Sequence, residues 1–320
     1  MVSIKDIAKQ AGVSISTVSY ALNGSQKVTQ ETTAKILAIA KELNYIPNAA
    51  ARTLKKRETK IAGVYLTNYS GAFYGELQQG MLDQLALHGY ELIVCSGKES
   101  HRFLPEGMID GAIILDAHFS NEELLSYADR GHKLVVLDRE LQHENITQVL
   151  LDNKTGAKLV VDHVAELGHR KLYIVTGPTG SFDSSQRLQQ ALLTAEKNGI
   201  ECSVIQGDFN KASGEQAGRK IIEEYSGPVA AFCLNDEMAI GMYNALSGTA
   251  YKVGKHVHII GFDNIEVAQY THPRLTTIDY SKREWGAAGA EQLIKLIKKE
   301  SSSHKKVGVT LSEGESLCRL

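Results

Sequence analysis

Ile4-Lys5-Asp6-Ile7-Ala8-Lys9-Gln10-Ala11-Gly12-Val13-Ser14-Ile15-Ser16-Thr17-Val18-Ser19-Tyr20 decides the architecture of this chain. Ile4, Ile7, Ala8 and Ala11 recur at helical spacing. Gly12 stands where the backbone must reverse, and glycine takes positive φ without steric cost. Ser14 offers a hydroxyl to cap a second helix, and Val18 and Leu22 give that helix a buried stripe. Helix, tight turn and helix predict a helix-turn-helix unit, whose second helix enters the major groove of double-stranded DNA.

Charge agrees with this partner. The first 60 residues carry ten Lys/Arg against four Asp/Glu, leaving 25 and 33 of the chain's 35 and 37 to the other 260. A basic head on an acidic body binds phosphates through local charge, whatever the net value of −2.

Working outward, a third helix is expected from Thr29, with Val28 as a staple and Gln30 and Glu31 in its first turn. Its apolar positions are Ile36, Leu37, Ala40 and Leu43; Asn44 ends it and Pro47 blocks continuation. The alanine-rich run Asn48–Lys56 has little to bury itself against, and so short a helix is marginal alone. It is expected to order only when something packs on it, such as DNA and a second copy of the run. Three parts follow: a helix-turn-helix domain over 1–47, a hinge helix and linker over 48–60, and a core over 61–320.

From Ile61 the texture is alternating β and α. Strands are expected at Ile61–Leu66, Tyr90–Cys95, Ala112–Leu115 and Lys133–Leu137, with helices at Tyr74–His88 and Asn121–Arg130. After Asp152 a second βα series begins, with strands at Lys171–Val175, Cys202–Gln206, Val229–Leu234 and Val257–Ile260. Helices are expected at Thr155–Gly168, Ser184–Asn198, Ser213–Tyr225 and Asp236–Ser247. A last helix, Lys282–Lys299, precedes two short strands. The fold class is therefore an all-α headpiece on an α/β core of two doubly wound, parallel-sheet subdomains. The first would hold about 61–151 and 280–300, the second about 152–279 and 301–320. Ligands of such sheets bind beyond the carboxyl ends of the strands, so two facing subdomains make a cleft for a small molecule.

Composition narrows the function classes. Hydrophobic residues make up 43% of the chain, ample for real cores, yet no apolar run of about 20 residues suggests a membrane span. The N-terminus has no charged-then-apolar signal, which predicts a soluble, cytoplasmic protein. Cys95, Cys202, Cys233 and Cys318 are scattered and read as reduced thiols, and the histidines show no metal-ligand spacing. No Ser-His-Asp or paired-carboxylate arrangement and no phosphate-binding glycine loop stands out. The expectation is no metal, no cofactor and no enzymatic activity.

The chain resembles the lactose-repressor (LacI-type) family of bacterial transcription regulators over nearly its whole length. The resemblance rests on Ile4-Lys5-Asp6-Ile7-Ala8, Val13-Ser14-Ile15-Ser16-Thr17-Val18-Ser19, Leu43-Asn44-Tyr45-Ile46-Pro47-Asn48 and Ala51-Arg52-Thr53-Leu54 in the head. In the core it rests on Ile109-Asp110-Gly111, Leu167-Gly168-His169, Leu234-Asn235-Asp236, Ile260-Gly261-Phe262-Asp263-Asn264 and Leu275-Thr276-Thr277-Ile278. It implies a core of periplasmic sugar-binding type whose ligand is an allosteric effector.

The resemblance also implies roles for particular residues. Ile15, Ser16 and Tyr20 would read bases. Tyr20 departs from the arginine often found there, which takes guanine through a bidentate contact. Ser14, Thr17, Ser19 and Asn23 would hold phosphates or cap locally, fixing register rather than sequence. Leu54 would wedge into the minor groove at the operator centre, with Asn48, Ala51 and Lys55 beside it. Phe73 and Tyr74 would offer flat faces to an effector, Arg187 a planar fork, Asp263 a buried carboxylate, and Phe209 a closing aromatic. Asn235 and Asp236 follow a strand end and would also bind; Asp138 and Asp152 are weaker candidates, each as readily a local cap.

Three departures stand out. The segment between Cys95 and Ile109 is about eight residues shorter than in the family, so Ser96–Gly107 holds a turn or two and the first sheet would be thinly covered there. Tyr280 stands where many relatives have glutamine near the cleft. No leucine heptad tail follows, which predicts a homodimer rather than a tetramer. The expected protein is a ligand-controlled repressor of carbohydrate-utilisation genes on a near-palindromic operator. A purine or a phosphoprotein coeffector are the other readings within the family. A pure sugar-binding protein or a sugar-modifying enzyme are the readings outside it.

Overall fold

A computed structural model describes residues 2–46 and 58–320. The chain divides into two compact units, with the boundary after Thr59.

The first unit is helical. Helix α1 (Ile4–Ala11) ends at Gly12, whose φ of +72° lets its N–H return to the Ala8 carbonyl at 3.0 Å. Helix α2 (Ile15–Leu22) starts on Ser14, whose Oγ accepts from Thr17 N at 3.1 Å. Helix α3 (Gln30–Glu42) starts on Thr29, whose Oγ1 accepts from Thr32 N at 3.3 Å, and the chain leaves it through Asn44 at φ +48°. Ile7, Ala11, Val18, Ala21, Ile36 and Ile39 close a small core between the three. Leu37 is half exposed, not buried as its position suggested. The inward stripe runs through Ile36, Ile39 and Ala40 instead.

The second unit holds two parallel sheets. The first comprises β1 (Ile61–Leu66), β2 (Glu91–Ser96), β3 (Gly111–Leu115), β4 (Leu134–Val136), β5 (Ile146–Leu151) and β11 (Lys305–Val307), in the order β11-β5-β4-β3-β1-β2. Helices α4 (Tyr74–Ala86) and α10 (Lys282–Ile297) pack closely against each other beside it, with α5 (Asn121–Asp129) in the same half. The second sheet comprises β6 (Lys171–Val175), β7 (Glu201–Ile205), β8 (Val229–Cys233) and β9 (Val257–Ile260), ordered β7-β6-β8-β9. Its helices are α6 (Asn153–Glu166), α7 (Phe182–Lys197), α8 (Lys211–Glu223) and α9 (Asp236–Leu246). A ribbon of β10 (Thr277–Asp279) and antiparallel β12 (Thr310–Ser312) completes the core.

Three elements depart from expectation. β5 follows β4 as a parallel neighbour with no helix between them, so a strictly alternating βα pattern passes over it. β10, at three residues, is too short to show a period. β11 pairs with β5 in the first sheet, so residues 305–307 belong to the first half and not, as expected, to the second. The chain therefore crosses between halves after β5, after β10 and after β11.

The shortened segment contains two turns of 3₁₀ helix, Lys98–Phe103. His101 stacks on Phe119 with ring centroids 3.4 Å apart, and Leu104 is fully buried. These fill the face over β1 and β3, but Ile93 on β2 stays exposed. The cover is thin at the edge strand alone. All four cysteines are free thiols. Among the described residues no helix is long and apolar enough to cross a membrane, and no group of three potential ligands could hold a metal ion.

Candidate functional site

The first unit presents one helix outward. Ile15 is 46% and Tyr20 38% exposed, with Ser16 also exposed. Ser16 and Tyr20 lie one turn apart and so share a face. Lys27, which sequence reasoning did not single out, places its ammonium 5.2 Å from the Tyr20 ring centroid, adding positive charge beside the base-reading candidates. Ser14 shapes the helix: its Oγ caps Thr17 N and lies 2.8 Å from Thr17 Oγ1. Asn23 donates to the Ser19 carbonyl at 2.6 Å and finishes the helix. Asn48, Ala51, Leu54 and Lys55 lie outside the described residues.

In the core, the candidate cleft residues lie in the chain beyond the carboxyl ends of the strands of both sheets. Phe73 and Tyr74 come after β1, Asp116 after β3, Asp138 after β4, Phe209 after β7, Asn235 after β8 and Asp263 after β9. Phe73 and Tyr74 meet edge to face at 5.2 Å, and Phe73 packs 6.2 Å from Trp285. Burial, with Asp116, Asp138 and Asp263 nearby, pushes the Tyr74 hydroxyl up to about 12.

Arg187 is the hub. It is buried in α7, donates from Nε to Asn153 Oδ1 at 2.8 Å and from Nη1 to the Leu234 carbonyl at 2.5 Å, and lies 3.6 Å over the Phe262 ring. Its Nη1 stands 3.9 Å from Asp263 Oδ1, which also accepts from the Tyr280 hydroxyl at 2.7 Å. Asp263 has φ +118° and Asn264 φ +45°. Such conformations are costly for residues with side chains and persist where surrounding contacts impose them. Burial raises the Asp263 carboxyl above its ordinary range, against the pull of Arg187 and Tyr280. Asn153 connects Arg187 to Asp183, donating to its Oδ1 at 2.7 Å. Neither Asn153 nor Asp183 was singled out from sequence; no local motif marks them.

Phe209, at φ +68°, lies directly over Gly177, where any side chain would collide with its ring. Asn235 holds it there: its Nδ2 donates to the Phe209 carbonyl at 2.9 Å while its Oδ1 caps α9 through Met238 N at 3.0 Å. Glu237, also unforeseen, links the halves: Oε1 accepts from Ala72 N at 2.9 Å, and Oε2 faces Lys211 Nζ at 3.3 Å.

Two candidates have other work. Asp236 is fully buried, with Thr277 Oγ1 donating to Oδ1 at 2.6 Å and Ile265 N to Oδ2 at 2.9 Å. It ties the Asp263 loop to β10, and burial pushes its carboxyl up to about 7. Both of its carboxylate oxygens thus have donors within the protein. Asp152 caps α6, accepting from Thr155 N and Oγ1 at 3.2 and 2.9 Å and facing Lys306 at 3.4 Å. It takes no part in the Arg187 network. Asp138 pairs with Arg139 through two bonds of 2.8 and 2.9 Å, and Tyr280 orients Asp263.

Residues 3–48 match the model for bacterial regulatory proteins of the lacI family, and residues 161–317 match a periplasmic binding protein-like domain. The HTH-type transcriptional repressor PurR of Aliivibrio salmonicida is 32% identical over 93% of this chain and 93% of its own length. The ribose operon repressor of Haemophilus influenzae is 32% identical over 95% of each. A sugar-binding transcriptional regulator (LacI family) from Enterococcus faecalis superposes with a TM-score of 0.79 at 46% identity, covering 82% of this chain and 99% of that one.

Proposed function

Because the chain belongs to the lacI family of bacterial transcription regulators, we propose that it represses carbohydrate genes as a homodimer whose operator affinity is set by a small sugar in the core cleft. The observation that carries the ligand class is the buried Arg187–Asp263–Tyr280 group beyond the strand ends, in the same core as the edge-to-face pair Phe73–Tyr74. Flat aromatic faces suit the apolar side of a sugar ring, and fixed charged groups suit its hydroxyls. The sugar-binding regulator from Enterococcus faecalis supports the same class.

On DNA, Ile15, Ser16 and Tyr20 read bases in the major groove, while Thr17, Ser19, Asn23 and the start of α2 address phosphates. Leu54 enters the minor groove at the operator centre, beside Asn48, Ala51 and Lys55, in line with the family resemblance. A second copy fits the exposed apolar edges of both sheets. These are Leu82, Leu87 and Ile93 by β2, and Leu192, Leu193 and Val204 by β7. A two-fold dimer then meets a near-palindrome. Effector binding changes the angle across the three crossovers, and the linkage, typically about 1–3 kcal/mol, reaches the DNA through residues 48–60.

The test is operator binding by the full chain with and without sugars. The expected result is sequence-specific retention that weakens steeply with salt and shifts on adding a sugar in the wild type but not in Arg187→Ala. An unchanged sugar response in that variant would show the cleft to be misplaced.

A further inference from the structure

The charges of the cleft narrow its ligand further, an inference that rests on the carbohydrate reading above. Four cations stand around the cleft, and each has a partner in the protein; Lys211 faces Glu237 Oε2 at 3.3 Å. Arg139 clasps Asp138 and donates to the Phe119 and Asp116 carbonyls at 2.6 and 2.7 Å. Arg187 is taken up by Asn153, the Leu234 carbonyl and the Phe262 ring. Lys282, buried, donates to the Asn264 carbonyl at 3.2 Å and sits 5.1 Å from the Tyr280 ring centroid.

The carboxylates are in the opposite condition. Asp263 is only 6% exposed, and its Oδ1 has Tyr280, but among the described residues nothing donates to its Oδ2. Asp183, in the first turn of α7, receives Asn153 on Oδ1 and, among the described residues, nothing on Oδ2. An ionised carboxylate has about four acceptor sites, and those the protein leaves open, on half-buried Asp183 and on Asp263, are available to a ligand. Hydroxyl groups of a ligand are the donors that would fill them. A ligand phosphate or carboxylate brings no such donor when ionised, and each of these cations already holds a protein acceptor.

We infer that the cleft takes uncharged polyhydroxyl ligands and rejects anionic sugars, and that Asp183 is a residue that enforces the rejection. The protein's own charge balance agrees. Burial drives the Asp183 carboxyl up to about 6, Asp138 and Asp263 push the same way, and Arg187 opposes them. A further negative charge meets the same resistance. Rejection by like charge is a recognised route to specificity.

The experiment compares matched pairs on the full-length protein at pH 8, by thermal shift and calorimetric titration. The probes are D-ribose with D-ribose 5-phosphate, D-glucose with D-glucose 6-phosphate, and D-galactose with D-galacturonate. In each pair that binds, the neutral member should bind at least about tenfold more tightly. Asp183→Asn, which keeps an acceptor for Asn153, should shrink that ratio to about threefold or less, its melting transition serving as the check on folding. An anion that binds as tightly as its neutral partner overturns the inference and leaves the carbohydrate reading standing. An unchanged ratio in a folded Asp183→Asn removes Asp183 from it. Binding by no member of any pair overturns the carbohydrate reading, and this inference with it.

Discussion

The DNA-facing helix and the effector cleft are built on opposite plans. On α2 the candidate contact residues Ile15, Ser16 and Tyr20 project outward from a helix that Ser14 and Asn23 secure at its ends. In the cleft the candidate residues bind one another before any ligand arrives: Asn235 holds Phe209, Tyr280 holds Asp263, and Asn153 joins Arg187 to Asp183. A DNA surface must stay open to a large, solvated partner. A cleft for a small molecule must have its geometry fixed beforehand, since ordering side chains at binding costs affinity.

The sharpest way to break this comparison is Asp236→Ala. If Asp236 is a buried tie, the variant strands Thr277 Oγ1 and Ile265 N without an acceptor. The core should then lose about 4 kcal/mol, since such losses add the desolvation of each orphaned group. Chemical denaturation reads this directly. A variant of unchanged stability that has lost its sugar response would return Asp236 to the ligand-contacting set.

The same contrast explains what could be read in advance. The helix-turn-helix is local: period, cap and turn all fall within Ile4–Leu22, and the structure adds little beyond the misassigned Leu37. The alternating core was legible for similar reasons, with β5 missed because no helix precedes it, β10 because three residues carry no period, and β11 placed in the wrong half because nothing local encodes its pairing with β5. The cleft was legible only as a set of names. Sequence and resemblance named Asp236 and Asn235 as ligand groups and Asp152 as ligand group or cap, and could not show that Asp236 would be tied to Thr277 and Asn235 to Phe209, pairings that no spacing encodes. Asn153, Asp183 and Glu237 went unremarked because each acquires its role from across the fold.

A smaller effect tests how far such ties reach beyond the cleft. His169, from the Leu167-Gly168-His169 motif, and His258 on β9 are buried with ring centroids 4.4 Å apart. His169 Nε2 donates to the Cys318 carbonyl at 2.9 Å, and His258 Nδ1 accepts from Cys318 N at 3.1 Å, so the pair pins the C-terminal segment. Burial lowers both imidazoles, His258 to about 4. The unfolded chain titrates near the ordinary value of about 6.5. Between those values the unfolded state binds more protons, so this contribution is complete above about pH 6.5 and is lost as pH falls towards 4. Asp236 acts with the opposite sign, favouring the protonated form up to about 7. The difference between wild type and His258→Asn isolates the imidazole. Asparagine keeps an acceptor for Cys318 N but takes no proton, so the fall in stability from pH 7 to 5 should shrink by about 2 kcal/mol. An identical pH slope in both proteins would remove His258 as the source.

The smallest expected effect lies on the other side of the comparison, at Ser14. Its Oγ is the cap of α2, and Thr17 N loses its partner in Ser14→Ala. A lost cap of this kind costs about 1 kcal/mol, confined to the small helical unit because Ile7, Val18 and Ile36 still close its core. Thermal melting of the full chain should therefore show a lowered transition for the headpiece and an unmoved transition for the core. Operator affinity should fall while the fold-change on adding sugar stays as it was. That pattern distinguishes a surface supported by its own helix ends from a cleft supported by distant residues. A matching loss in the core transition would show that the two do not respond separately.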